Sequence, residues 1–380
     1  MAGMKTSSSS ASAEGGRIAL VIPSLGPGGA ERVLTTLAGA WADSGRDVVL
    51  VTLAGSDGDF FPVPPGVRRV ALGMAGDSRG IWEAVIRNVS RVRRLRRALA
   101  ELRPDLVISF VDQMNVLAIL AARPLAIPVV ASERIDPRHN PLGWAWRFLR
   151  RRIYPRAAAV VVQTEAVRPW AVGVAGGAMV AVIPNPVMPA PPGASRGAAA
   201  DVILTLGRLI PQKGHADLIR AFARCAGACP GWRLVIGGEG PLRRDLETLA
   251  ASLGVTGRVA FAGRVTDTAS FLRTGGVFVL PSRFEGFPNV LIEAMAAGLP
   301  VVSYDCPSGP REIIRHPADG ILVPAGNVAA LAEVLKRLTA DPAERRRLGE
   351  AARAVTDRFG LDAVLPRWDD LIRAVREKGG

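Results

Sequence analysis

From Arg17 onward the chain alternates between two hydrophobic rhythms. Short β-branched runs without polar interruption read as strands buried on both faces: IALVIP (18–23), VVLVTL (48–53), LVISFV (106–111), IPVVAS (127–132), AAVVVQ (158–163) and MVAVIP (179–184). Segments such as 30–43, between the runs, carry apolar residues at helical spacing. The series restarts at VILTLG (202–207) and continues through RLVIGG (233–238), RVAFAG (258–263), VFVLPS (277–282), LPVVSY (299–304) and GILVPA (320–325); residues 341–377 are helical. Strands separated by helices predict βαβ units and parallel sheets. The segment PNPVMPAPPGASRGAAA (184–200) divides the two series and has the Pro, Gly and Ala content of a linker. The pattern predicts two doubly wound α/β domains, 17–186 and 201–355, joined by 187–200, with a final helix over 356–380 packing back toward the first domain. The opening 16 residues, MAGMKTSSSSASAEGG, lack an apolar core and read as a disordered tail rather than a signal peptide. Residues 169–195 are uncharged, but their apolar part, 170–183, is too short to span a bilayer and contains Gly173, Gly176 and Gly177, which predicts a buried element and no transmembrane helix.

Ligands of open α/β sheets bind beyond the carboxyl ends of the strands, so the loops after each strand carry the chemistry. SLGPGGAER (24–32) follows the first strand and precedes a helix, with Gly28 and Gly29 placed for backbone N–H groups to meet an anion. It is not a dinucleotide fingerprint. Glu31 stands where the third glycine belongs, and Thr52, Leu53 and Ala54 replace the ribose-binding acid after the second strand. GRLIPQKG (207–214) sets Arg208 and Lys213 just before a helix, a plausible clamp for a diphosphate. In VFVLPSRFEGFPNVLIEAMAAGLPVVSYDCPSGPREII (277–314), Glu285, Gly286 and Phe287 lie in a loop, Pro288 suits the first helical position, and Gly298 stops the helix. Glu285 and Glu293 can then face one ligand while N–H groups near Asn289 and Val290 face its anion. Carboxylates beside an anion site suit a polyhydroxylated, phosphorylated ligand.

Together, the GGAER, GRLIPQKG, EGFPNVLIEAMAAGLPVV and SGPREII segments resemble the retaining glycosyltransferases of family 4, which have the two-domain GT-B fold. The resemblance extends over nearly the whole chain after residue 16. It implies that Arg208 and Lys213 hold the donor diphosphate and that Gly28 and Gly29 approach it from the facing domain. Glu293 would bind ribose hydroxyls; Glu285, with backbone from Gly286 through Phe287 and Pro288 to Asn289 and Val290, would bind the donor sugar; the turn at Arg264 would contact the base. ISFVDQMN (108–115), ASERIDPR (131–138) and WRFLRRRIYP (146–155) resemble enzymes that add N-acetylhexosamine to polyprenyl-diphosphate-linked glycans. Many family members carry a histidine after the strand 127–132. This chain has Ser132, Glu133 and Arg134 there, leaving Glu133 as a candidate for that position. The implied reaction moves a hexose or N-acetylhexosamine from a nucleotide-diphosphate sugar, UDP-linked by the same likeness, to a lipid-linked glycan or polysaccharide acceptor with retention. Arg208, Lys213 and helix N-termini would stabilise the leaving group, so that neither metal nor cofactor is required.

Charge locates the acceptor side. The net charge is +14, carried by 44 arginines against 4 lysines, and predicts an anionic partner. Residues 85–103 form an amphipathic pattern in which Val85, Val89, Val92, Leu95, Leu99 and Leu102 make a stripe flanked by arginines. Arg147, Arg150, Arg151 and Arg152 interleave with Trp144, Trp146 and Phe148. Both segments can meet anionic headgroups or pack on their sheet with a solvated face. The expected location is the cytoplasm, peripheral on the inner face of the membrane. Three cysteines exclude a disulfide framework, the three histidines form no ligand cluster, and Asp57-x-Asp59 beside Gly55 and Gly58 reads as a turn. A nucleic-acid-binding protein would explain the charge, but no recognition motif or stacking platform is present. An epimerase of the same fold would lack the basic, acceptor-facing surface.

Overall fold

The computed structural model describes residues 16–76, 80–140, 142–188 and 201–379. Residues 1–15 of the expected tail and 189–200 of the expected linker lie outside the described residues.

Residues up to 182 supply β1 (Ile18–Ile22), β2 (Val48–Thr52), β3 (Arg68–Ala71), β4 (Leu106–Phe110), β5 (Val129–Ser132), β6 (Ala159–Val162) and β7 (Met179–Val182), with helices α1 (Gly29–Asp43), α2 (Ile81–Leu102), α3 (Asp112–Ala122), α4 (Trp144–Ile153) and α5 (Arg168–Ala175). They form one parallel sheet in the order β3-β2-β1-β4-β5-β6-β7. A second parallel sheet, β10-β9-β8-β11-β12-β13, is made from β8 (Val202–Leu206), β9 (Arg233–Gly237), β10 (Val259–Gly263), β11 (Val277–Leu280), β12 (Val301–Asp305) and β13 (Ile321–Pro324). Its helices are α6 (His215–Cys225), α7 (Arg243–Ser252), α8 (Thr268–Arg273), α9 (Asn289–Ala296), α10 (Pro310–Ile313), α11 (Val328–Ala340) and α12 (Pro342–Ala352); α13 (Val355–Phe359) and α14 (Leu361–Gly379) follow. Two doubly wound parallel sheets in one chain are what the alternating runs predict, and they fit the GT-B fold that the family resemblance implies.

All twelve expected strands form. The sequence reading missed β3, whose RRVA run pairs only with β2 at the sheet edge and is half-exposed, so it lacks the apolar run of a central strand. The central helix α3 is apolar nearly all round and packs between α2 and α4. Its neighbour α2 departs from expectation. Leu95 and Leu99 are fully buried, but Val85 and Val89, together with Trp82 (82% exposed) and Ile86, face solvent. The stripe therefore packs on the sheet only along its second half, where α3 runs beside it.

The chain crosses between the sheets twice, and the crossings touch. After β7, Val187 donates its N–H to Phe359 O (2.7 Å) and bridges to Gly360, where the chain returns. Helix α14 then lies on the first sheet. Trp368 is edge-on to Trp41 (6.3 Å) and stacked on Phe110 (6.2 Å), and Trp41 Nε1 donates to Asp369 Oδ1 at 2.9 Å. Val364, Ile372 and Val375 complete that layer.

Because Trp368 is fully buried in the first domain's core, Trp368→Ala should cost about 3–5 kcal/mol. Urea denaturation measures it. A loss below about 1 kcal/mol would mean that α14 is not part of that core.

Candidate active site in the cleft between the sheets

The carboxyl ends of the two sheets meet, and the loops that leave them are bound to one another. One glycine closes the second domain's own loops together and another lets them meet the first domain. Gly214 has φ +64°, and a side chain there would strike Pro281 O, so loop 207–214 lies against the end of β11. Gln212 Nε2 donates to Phe284 O (2.9 Å), and Lys213 Nζ pairs with Glu285 Oε1 at 2.6 Å. Gly286 packs against the other domain: a Cβ there would fall 2.8 Å from both Ile135 Cα and Gln163 Oε1. The second domain's loop after β11 thus rests directly on the first domain's 132–140 loop.

Further pairs seal the seam. Ser308 Oγ donates to Asp136 Oδ2 (3.1 Å), and the Glu312 carboxylate accepts the backbone N–H groups of Glu165 (2.8 Å) and Ala166 (3.0 Å). The His139 ring stacks on Phe284, with centroids 5.6 Å apart. Asn185 Nδ2 reaches Asn289 Oδ1 at 2.5 Å, and Asn289 Nδ2 donates to Gly29 O at 3.1 Å. Arg32 Nη1 pairs with Glu293 Oε1 at 2.8 Å. Burial pushes the Glu293 carboxyl up to about 7, with Arg32 opposing.

The residues expected to hold a donor are therefore gathered at one place. Gly28 and Gly29 open α1, Arg208 is exposed after β8, Lys213 touches Glu285, and Glu293 lies one turn into α9. Pro288 is the N-cap of α9 rather than its first residue, and Val290 is half-buried against the core. The Phe287 side chain is buried edge-on to Phe359 (5.2 Å), so this residue offers the cleft only its backbone. Arg264, on the rim after β10, pairs with exposed Glu239 at 3.0 Å. Asp59 of the Asp-x-Asp segment is held by Arg69 Nη2 at 2.9 Å.

Two expectations are corrected. Glu133 points away from the cleft, into the first domain: it accepts the Tyr154 hydroxyl, lies 3.7 Å from Arg150 Nη1 and is fully buried. Burial raises its pKa to about 7, against the pull of Arg150. Arg150 is likewise not a headgroup contact. It is 6% exposed because α4 turns Trp146, Arg150 and Ile153, at helical spacing, toward the core; its guanidinium lies 4.6 Å over the Trp170 ring. Arg147, Arg151 and Arg152 remain exposed beside Trp144 (77% exposed) and Phe148.

The sequence reading also missed Arg32, Asn185, Asp136, Ser308 and Glu312. Arg32 stood in GGAER, Asp136 in ASERIDPR, and Ser308 and Glu312 in SGPREII, all motifs already singled out, and Asn185 stood at the start of the linker segment. Each acts through a partner in the opposite half of the chain.

Relatives share this architecture. Residues 197–355 match the family described as Glycosyl transferases group 1, and residues 28–186 the Glycosyl transferase 4-like domain. Lipopolysaccharide core biosynthesis glycosyltransferase LpsD of Rhizobium meliloti is 30% identical over 77% of this chain and 83% of its own length. An N-acetyl-D-galactosaminyltransferase of Campylobacter jejuni, whose name specifies a diNAcBac-PP-undecaprenol glycan, is 28% identical over 95% of this chain and 99% of its length. An exopolysaccharide phosphotransferase of Streptomyces coelicolor is 36% identical over 76% of this chain, a match that spans 30% of that protein. The crystal structure of Anabaena HepE in complex with UDP and glucose superposes with a TM-score of 0.76 at 21% identity, over 94% of this chain and all of that one.

Glu293 supplies a pH signature. Its folded-state pKa lies above the ordinary value of 4.5, so the stability it contributes is present below about pH 4.5 and is lost as pH rises through about 7. Urea midpoints of wild type and Glu293→Gln between pH 5 and 8 should show wild type losing ground to the variant as pH rises. The opposite trend would place the charged form as the favoured one. With two facing Rossmann-like domains, a family pattern matched in each half and a relative 30% identical over 83% of its length, the chain belongs to the GT-B glycosyltransferases.

Proposed function

We propose that the chain transfers a hexose or N-acetylhexosamine from a UDP-sugar to a lipid-linked glycan, with retention at the anomeric carbon, at the cytoplasmic face of a membrane. The observation that carries the donor side is the meeting of Lys213 with Glu285 beside Arg208, opposite the N-terminus of α1. Departure of a nucleoside diphosphate concentrates negative charge on the leaving oxygens. Arg208 as a fork, Lys213 as a point charge and the α1 and α9 N-termini stabilise that charge where it develops. When the diphosphate draws Lys213 toward itself, the Glu285 carboxylate is freed to accept sugar hydroxyls. Glu293 accepts the ribose hydroxyls in place of Arg32. The UDP bound in HepE and the polyprenyl-linked glycan in the Campylobacter relative's name support this choice of partners.

The acceptor side rests on exposed apolar and basic residues of α2 and α4. Trp82, Val85, Ile86 and Val89 of α2 and Trp144, Phe148 and Leu149 of α4 face solvent, with Arg147, Arg151 and Arg152 among them. The α2 cluster lies toward the N-terminal end of its helix, which in a parallel α/β domain is the side where the strands end and the cleft opens, and the α4 cluster runs the length of its helix from Trp144 to Arg152. Among the described residues no helix is long and apolar enough to cross a membrane. A surface of this kind binds an anionic bilayer by insertion and charge together, about 1 kcal/mol per basic residue.

Glu293→Ala should weaken UDP binding by about 2–3 kcal/mol in a folded variant, the scale of hydrogen bonds to a charged group. Isothermal titration measures it, and unchanged affinity would remove Glu293 from the site. Transfer should survive excess EDTA, because Arg208 and Lys213 provide the positive charge. Turnover that vanishes with chelator and returns with magnesium would contradict this. In liposome sedimentation, Arg147, Arg151 and Arg152 changed together to Gln should reduce binding to anionic vesicles at low salt and leave UDP affinity intact. Arg150 is excluded from that variant, since removing it leaves Glu133 buried without its cation.

A further inference from the structure

Arg134, the residue after inward-pointing Glu133, turns into the seam. Its guanidinium lies 4.0 Å over the Phe110 ring and donates to two neutral acceptors, Ser132 Oγ (3.1 Å) and Asn185 Oδ1 (2.5 Å). Its Nε is buried without a partner. Among the described residues no carboxylate lies within ion-pair distance of it. Burial lowers its pKa to about 9, and the one charge opposing that fall is Glu31. A half-buried guanidinium with no counter-ion and a buried, unpartnered Nε is costly unless the site exists to receive an anion.

Glu31 shows where that anion sits. Its carboxylate folds back over the start of its own helix: it accepts its own backbone N–H, and any side chain at Gly28 would overlap its Oε2. Burial raises its pKa, while Arg208 of the second domain and Arg134 of the first both draw it down. Glu31 thus stands at the N-terminus of a fifteen-residue helix, within electrostatic reach of arginines from opposite domains, and Arg134 is tied to the same helix start by a chain of hydrogen bonds: it donates to Asn185, Asn185 Nδ2 donates to Asn289 Oδ1, and Asn289 Nδ2 donates to Gly29 O. Glu31's neighbour Arg32 does the converse, placing a cation on Glu293. The Glu31–Arg32 pair presents charges opposite to those that would grip a nucleoside diphosphate.

We infer that Arg134 is a further cationic arm of the diphosphate site and that Glu31 is an internal anion occupying this site until a diphosphate displaces it. The inference rests on the donor reading above and adds two residues to it, one favouring binding and one opposing it. The ligand chemistry is a diphosphate, which could belong to the donor nucleotide or to a polyprenyl diphosphate.

The test is isothermal titration of inorganic pyrophosphate, UDP and a short-chain polyprenyl diphosphate into wild type, Glu31→Gln, Arg134→Gln and Arg134→Lys, each checked for a native melting transition. Glu31→Gln should tighten pyrophosphate and at least one of the other two about tenfold, and Arg134→Gln should weaken the same ligands about tenfold, with Lys intermediate. Effects confined to pyrophosphate and UDP assign the arm to the donor; effects on pyrophosphate and the polyprenyl compound alone assign it to the acceptor. Unchanged or weaker binding by Glu31→Gln overturns the inference, and so does wild-type binding of all three ligands by Arg134→Gln. If Arg134→Gln does not fold, Glu31→Gln decides alone. Failure of the donor reading looks different: wild type would then bind no UDP, or Arg208→Gln would bind it unchanged.

Discussion

The hydrogen bond from Val187 N–H to Phe359 O holds the chain's two passages between domains side by side. Any change in the angle between the domains has to be absorbed at these two adjacent crossings. Helix α14 fixes the return passage to the first sheet through Trp368.

The seam is built from unlike materials. Contacts close to the crossings, such as Asn185 with Asn289 and Ser308 with Asp136, are neutral or singly charged hydrogen bonds. The seam contact at an expected nucleotide position, Arg32 with Glu293, is an ion pair, as is Lys213 with Glu285 beside it within the second domain. An ion pair gives up its partner to a ligand of matching charge with little change in the number of charged contacts, whereas a neutral bond offers such a ligand no advantage. The distribution suits a cleft that stays aligned at its base while exchanging partners at its mouth.

Much of the fold was legible because both-face-buried strands leave unbroken β-branched runs and the helices between them keep their spacing. Edge strand β3 was not, since two arginines in four residues erase that signal. The donor loops were legible because each functional residue sits within a few positions of a strand end. Orientation was not. Glu133 and Arg134 are adjacent, yet one enters a core and the other a seam, a choice made by Tyr154 and Arg150 on another helix and its extension. Arg150 sits in a run of three arginines, and only the helical phase set by Trp146 and Ile153 separates it from its neighbours. Arg32 and Glu293 are 261 positions apart, and no local pattern announces that they pair.

Phe287 links two parts of the molecule that are otherwise far apart in role. Its backbone belongs to the loop expected to hold the sugar, and its ring packs against Phe359, the residue whose carbonyl joins the two crossings. The loop and the crossing are therefore joined through one buried contact, and a smaller side chain at either ring would leave a cavity shared by both.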